Sequence, residues 1–161
     1  MPERSYGVDP AIRTEIEQLI SELLYRLDHD QADTTWELYT EDAETVGPLG
    51  PMRGRDAVKA WGAKRALQTD IVGRHFIGGI RLAWDAGVLT GTVAYLTFRD
   101  SAEDVLTPAS VGEFREQYRL VDGEWRFARR EIVPVFGGAN AAAHARRLAE
   151  ATEATETGDA R

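Results

Sequence analysis

The side chains able to move protons near neutral pH are few: His29, His75 and His144, with no cysteine anywhere in the chain. Histidine is the natural general base, because its unperturbed pKa of about 6.5 lies close to working pH. The lack of cysteine removes thiolate nucleophiles, disulfides and cysteine metal sites. His29 stands between Asp28 and Asp30 and invites a metal site with His75 and a carboxylate. Neighbouring residues on a helix point about 100° apart, however, so Asp28 and His29 do not easily share a pocket, and no metal is expected. His144 falls in an alanine-rich tail and reads as solvated. His75 lies in a strand-like segment, where a histidine is either a buried base or an ordinary structural residue. Asp28 has a similar double reading, since acids also end helices and start turns. Arg129 is the candidate interior cation. By strand alternation Trp125, Phe127 and Arg129 share one face and Arg126, Ala128 and Arg130 the other. If the first set looks inward, Arg129 could hold an oxyanion or a leaving group; otherwise it pairs with an acid such as Glu131 or Glu116.

The elements that must position these groups follow from periodicity. Asp9 and Pro10 read as the cap and first residue of a helix. Ile12, Ile16, Leu19, Ile20, Leu23, Leu24 and Leu27 then form one apolar face. The helix runs out at Asp28–Asp33, which leaves Asp28 at the edge of that stripe and able to turn inward. Thr34-Thr35-Trp36-Glu37 has capping-box form and predicts a short second helix reaching Glu41-Asp42. Residues 47–51 read as a turn-rich loop. A third helix is expected over 55–67, with Val58, Trp61 and Leu67 inward. Residues 72–84, 88–99, 110–121 and 125–136 read as strands, joined at Asp85-Ala86-Gly87 and Asp122-Gly123 by hairpin signals. Helices followed by at least four antiparallel strands make an α+β order. A terminal helix is expected over 139–151 and disorder over 152–161. The aromatic residues Trp36, Tyr39, Trp61, Phe76, Tyr95, Phe98 and Phe114 either line an apolar pocket or fill the core.

The composition narrows the partners. The chain has 161 residues and a formal net charge of −8, with 43% hydrophobic residues. That length suits one domain with a core able to enclose a small molecule. The negative charge argues against nucleic acid and against an anionic membrane surface. No apolar run is long enough to cross a bilayer. Met1–Asp9 is polar and acidic, unlike a signal peptide, and a cytoplasmic location is the expectation.

Several strings resemble the SnoaL-like, scytalone-dehydratase-like branch of the nuclear transport factor 2 superfamily. The most specific is Arg74-His75-Phe76-Ile77-Gly78-Gly79. Next is the final hairpin, Tyr118 to Phe127, with its Asp122-Gly123 turn and Trp125. The first helix ending in Asp28, with Trp36 just beyond, completes a match over residues 10–136. The resemblance implies a curved antiparallel sheet wrapped by the N-terminal helices into a cone enclosing one pocket, with 1–9 as an extension and 137–161 as a tail. It also implies that Asp28 and His75 meet inside the cone as a catalytic pair, and that the chain forms a homodimer through the outer face of the sheet.

Such a pair suits elimination or isomerisation. A carboxylate on one ring nitrogen fixes the tautomer, leaves the other nitrogen free to accept a proton and stabilises the imidazolium. The expected function is thus a cofactor-independent lyase or isomerase acting on a small, apolar, cyclic molecule. Arg129, Trp36, Tyr39, Trp61, Phe76, Tyr95 and Phe114 are expected to contact that substrate. The departures forbid carrying over a substrate. Scytalone dehydratases add a second histidine, absent from the strand 88–99, and an asparagine where Phe114 stands. Lindane dehydrochlorinases add a lysine where this chain has Leu23. Two other readings belong to the same fold: a non-catalytic small-molecule-binding or dimerisation module, and an epoxide hydrolase or cyclase. The last uses two aspartates around an arginine. Arg99-Asp100 resembles part of that pattern, but adjacent strand residues face opposite ways.

Overall fold

The computed structural model describes residues 7–48, 50–100, 107–136 and 146. The helix expected over 139–151, His144 and the tail 152–161 lie outside the described residues, Arg146 aside, as do Met1–Tyr6 of the N-terminal extension. Within the described residues the chain forms helix α1 (Pro10–Asp28), a 3-10 helix (Ala32–Leu38), strands β1 (Tyr39–Gly47) and β2 (Gly50–Arg53), and helix α2 (Arg55–Ala66). Strands β3 (Gly73–Asp85), β4 (Val88–Arg99), β5 (Ser110–Val121) and β6 (Glu124–Phe136) follow.

Helix α1 starts as its sequence dictates, with the Asp9 side chain accepting from the Ala11 amide at 2.7 Å. Its apolar stripe buries Ile16, Leu19, Ile20, Leu23 and Leu24. At about 1.5–3 kcal/mol per buried side chain, that face anchors the helix by on the order of 10 kcal/mol. The helix ends where Asp30 turns to φ 59°, so that the Gln31 amide reaches back to the Arg26 carbonyl at 2.9 Å.

The second helix is shorter and tighter than its sequence predicts. The turn is a 3-10 helix that stops at Leu38, and residues 39–47 continue as a strand. No capping box forms: Thr35 Oγ1 bonds back to the Ala32 carbonyl at 2.8 Å and Thr34 Oγ1 to that of Gln31, also at 2.8 Å. Arg26 ties the turn to α1, reaching Glu22, Glu37 and the Thr34 carbonyl, each at 2.8 Å. Gly62 of α2 packs so closely on the turn that a Cβ there would stand 2.2 Å from the Ala32 carbonyl oxygen. In α2, Val58 is buried and Trp61 half-buried, whereas Leu67 points to solvent.

The sheet runs β2-β1-β6-β5-β4-β3. It is mixed: β1 pairs parallel with β6, and the other pairings are antiparallel. The loop expected at 47–51 is the β1–β2 connection, with Gly47 opposite Gly50. Both hairpin signals hold, since Ala86-Gly87 and Asp122-Gly123 each supply two consecutive positive φ angles. This is an α+β arrangement, with helices on a sheet that does not close into a barrel.

Two irregularities decide which residues face inward. Ile77 pairs with Tyr95 and Ile80 with Val93, so Gly78-Gly79 bulges and both isoleucines keep the inner face. In β6, Gln117 pairs with Arg129 but Tyr118 with Phe127, which makes Ala128 the extra residue. Alternation therefore fails at Ala128, and Phe127 and Arg130 are the buried residues there.

Candidate active site

Strand β3 is the sheet edge, so every second backbone N–H on it lacks a strand partner. At His75 the C-terminus of α1 supplies the missing acceptor. The Asp28 carboxylate takes the His75 amide on Oδ2 at 2.8 Å and the His75 ring Nδ1 on Oδ1 at 2.6 Å. One carboxylate thus grips backbone and imidazole of the same residue, which leaves neither a free rotation. Both side chains are largely covered, 14% exposed for His75 and 8% for Asp28. With Asp28 ionised, Nδ1 is the donor, and in the neutral imidazole Nε2 then carries the lone pair.

An acid at the last residue of a helix opposes the helix dipole, at about 0.3–1 kcal/mol. The anchoring of α1 is far larger, and local donors offset the rest. Arg74 Nη1 donates to the Asp28 carbonyl at 2.8 Å. Burial alone would raise the Asp28 pKa. The hydrogen bond and charge of the His75 ring, the His75 amide and the Arg74 guanidinium together hold it below the ordinary carboxylate value.

Across from β3, the inner face of β4 presents Tyr95, Thr97 and Arg99 opposite Ile77, His75 and Gly73. Tyr95 stacks on Phe114 at 4.1 Å between ring centres, and its hydroxyl meets Ser110 Oγ at 3.0 Å. Arg99 is close enough to Asp28 to feel its charge. Burial pulls its pKa down to about 10, Arg65 adds to the shift, and Asp28, Tyr95 and Asp100 oppose it. It remains a cation at neutral pH. Period-two alternation from Val93 to Arg99 could have placed it inside, but its neighbours on β3 needed the register.

The remaining sequence candidates divide. Tyr39 and Phe114 are buried, with Tyr39 against Phe127 at 5.2 Å. Phe76 does not face the interior: as the neighbour of inward His75 it must face out, and it is 54% exposed, edge-on to Phe98. Trp36 lies under Lys59 and Arg55 of α2 at 4.5 and 5.6 Å. Trp61 is half-buried on the same helix. Arg129 is not the interior cation. The bulge at Ala128 turns it outward, to Glu44 and to Glu131 at 3.2 Å. His29 stacks on exposed Tyr25, with Nδ1 at 2.8 Å from the Tyr25 carbonyl, and does not approach His75.

Arg130 takes the inward place instead. Its guanidinium lies 3.9 Å above the Phe114 ring and 3.1 Å from Glu116, and both side chains are essentially inaccessible. Tyr118 donates to the second Glu116 oxygen, and the Tyr39 hydroxyl lies among Arg130, Glu116 and Thr45. Burial raises the Glu116 pKa, against the opposing effects of Arg130 and Tyr118. Glu116 pairs through Gly91 with the Leu82 level of the sheet, six residues along β4 from Thr97. At about 3.3 Å per residue it is roughly 20 Å from the His75 level, so this cluster and the dyad are separate polar centres. An open groove lined by Thr14, Gln18, Ser21, Tyr25, Trp125 and Arg126 lies on the outside of α1 and touches neither.

The family model for the SnoaL-like domain matches residues 11–131. The chain belongs to the SnoaL-like family. This SnoaL-like domain matches no curated protein in sequence. It is similar in structure to Rv3472 of Mycobacterium tuberculosis, a protein of unknown function, with TM-score 0.74 and 20% identity over 90% of this chain and 97% of that one. It is similar to a nuclear-transport-factor-2-like protein of Novosphingobium aromaticivorans with a cystatin-like fold, with TM-score 0.67 and 25% identity over 84% and 87%. A candidate scytalone dehydratase of the same bacterium aligns at TM-score 0.65 and 20% identity over 78% and 85%. SnoaL-like proteins are often enzymes, polyketide cyclases and scytalone-dehydratase-like proteins among them.

Proposed function

We propose that this SnoaL-like domain is a cofactor-independent lyase or isomerase, with His75 as general base and then acid and Asp28 as the group that orients it. The observation that carries the reading is the double grip of Asp28 on His75, which fixes the ring through Nδ1, with no hydrogen bond at Nε2 among the described residues. A base held in one tautomer, mostly screened from water, is what abstraction of a carbon-bound proton requires. Tyr95, two residues along β4 from the register partner of His75, brings an aromatic ring to the neighbourhood of the dyad, which suits a flat, cyclic, apolar substrate.

The first step takes a proton from a carbon next to an activating carbonyl onto Nε2. The electron pair left behind either takes that proton back from Nε2 at another carbon, giving isomerisation, or expels a hydroxyl or halide from the adjacent carbon, the proton passing to solvent after halide loss. In a dehydration the same proton leaves on the departing hydroxyl as water, so the site returns to its starting state. The test is a panel of cyclic β-hydroxy ketones and their dehydrated products, incubated with the protein in D2O and followed by NMR. Elimination or deuterium incorporation is expected for at least one member, and neither with His75→Ala. Wild-type inertness across the panel, with ligands bound but unchanged, would favour a non-catalytic binding module.

A further inference from the structure

The dyad has a cationic neighbour that proton abstraction alone does not call for. Arg99 is the last residue of β4, on the face shared with Thr97 and Tyr95. Its register partner is Gly73, and a Cβ there would stand 3.1 Å from Arg99 Nη1, so the guanidinium lies close against the bare Cα of the glycine. His75 is the next residue on that face of β3, which makes the guanidinium and the imidazole diagonal neighbours.

Among the described residues no ion pair joins Arg99 to a carboxylate, and its Nε is buried without a hydrogen-bond partner. Arg65 brings a second positive charge close to the first. It spends its donors on neutral acceptors, the Gln68 carbonyl at 3.1 Å and the Ile71 carbonyl at 3.3 Å. The carboxylates that oppose these two charges are already engaged, Asp28 with both oxygens on His75 and Asp100 with the Val72 amide at 3.0 Å. A partly buried cation with no hydrogen-bonded carboxylate among the described residues is costly to keep. A negatively charged oxygen is the group that completes it, and a guanidinium is the donor best shaped to hold a carboxylate or enolate.

We propose that Arg99, with Arg65 behind it, binds an anionic oxygen of the substrate, either a carboxylate or the carbonyl oxygen that becomes an enolate when His75 removes the neighbouring proton. This rests on His75 acting as the base and names the substrate class: planar cyclic carboxylates or enolisable carbonyl compounds. In the step itself the C–H bond breaks, its proton goes to His75 Nε2, and the electron pair moves onto the carbonyl oxygen beside Arg99. Collapse of that enolate re-forms the carbonyl and returns the pair to carbon or ejects the leaving group.

The probes are 2-naphthoate and 2-naphthamide, alike in shape and different in charge, titrated calorimetrically against the full chain. Wild type is expected to bind the carboxylate at least about 10-fold more tightly than the amide. Arg99→Met should erase the preference, Arg99→Lys should retain part of it, and Arg65→Gln should reduce it. His75→Ala should keep the preference while losing turnover, so that failure of anion binding and failure of the base are separately visible. The thermal midpoint of Arg99→Met should equal or exceed that of wild type, since a buried charge is removed. Should that variant fail to fold, the wild-type ratio and Arg99→Gln decide the matter. Equal affinity for the two probes in wild type, no saturable carboxylate binding up to about 10 mM, or an undiminished preference in Arg99→Met or Arg99→Gln would each overturn the proposal.

Discussion

Replacing Asp28 by asparagine changes one atom and tests the dyad without any substrate. In the native protein both carboxylate oxygens accept, one from the His75 amide at 2.8 Å and one from ring Nδ1 at 2.6 Å. An asparagine has a single acceptor oxygen, and the rigid edge-strand amide claims it. The side-chain NH2 then faces Nδ1, and donor against donor is avoided only if the ring proton moves to Nε2. That tautomer cannot accept a proton at Nε2, so the base is lost although every residue remains in place. In a serine-protease triad the same change lowers kcat by about 10⁴, or about 5 kcal/mol, and a loss of about 10³–10⁴ is expected here. Long-range 1H–15N correlation spectra read the tautomer directly, and with three histidines in the chain His75→Ala assigns the signal. Wild type should show Nδ1–H and Asp28→Asn should show Nε2–H. An Nε2–H tautomer in wild type, or an unchanged ring in the variant with full catalytic rate, would refute the reasoning.

Other expectations follow from the same structure. Because the Asp28 pKa is depressed in the fold, its ionised form stabilises the protein above the ordinary carboxylate value, and that contribution disappears as pH falls through the lower folded value. Asp28→Asn should therefore flatten the acid limb of the stability profile below about pH 4, as read by urea unfolding. Gly62→Ala should lower stability by about 1–2 kcal/mol despite alanine's better helix propensity, since its Cβ would stand 2.2 Å from the Ala32 carbonyl oxygen; a raised thermal midpoint would contradict this. Arg130→Met should cost about 3–5 kcal/mol by stranding buried Glu116, and adding Glu116→Leu should recover much of it in chemical denaturation. Arg129→Ala, on the outer side of the bulge, should change stability by less than about 1 kcal/mol and leave the His75 tautomer untouched.

The parts of the fold legible in sequence were those with strong local signals. Helix α1 announced itself through a cap and a sustained apolar stripe, and the two hairpins through turn residues that accept positive φ. Strand β1 is hidden because Glu41, Asp42 and Glu44 make its segment read as polar, and its main partner, β6, is parallel and 85–88 residues away in sequence. The capping-box form of Thr34–Glu37 misled for a related reason: both threonine hydroxyls prefer carbonyls of the preceding turn. At the site, the meeting of Asp28 and His75 was inferred from resemblance, since neither residue carries a local sign of the other. The interior cations carry no local signal either. Arg130 faces in only because of a bulge at Ala128, which nothing in the alternation betrays, and Arg99 acquires its meaning only from its register with Gly73 and His75.

The central claim is that the imidazole of His75 carries the proton. Once a panel compound is turned over, the direct measurement is the rate of deuterium transfer to it in wild type and in His75→Ala, with the fold of each checked by circular dichroism. A loss of at least about 10³-fold with an intact fold is the predicted result. Transfer at an undiminished rate without the imidazole would contradict the account.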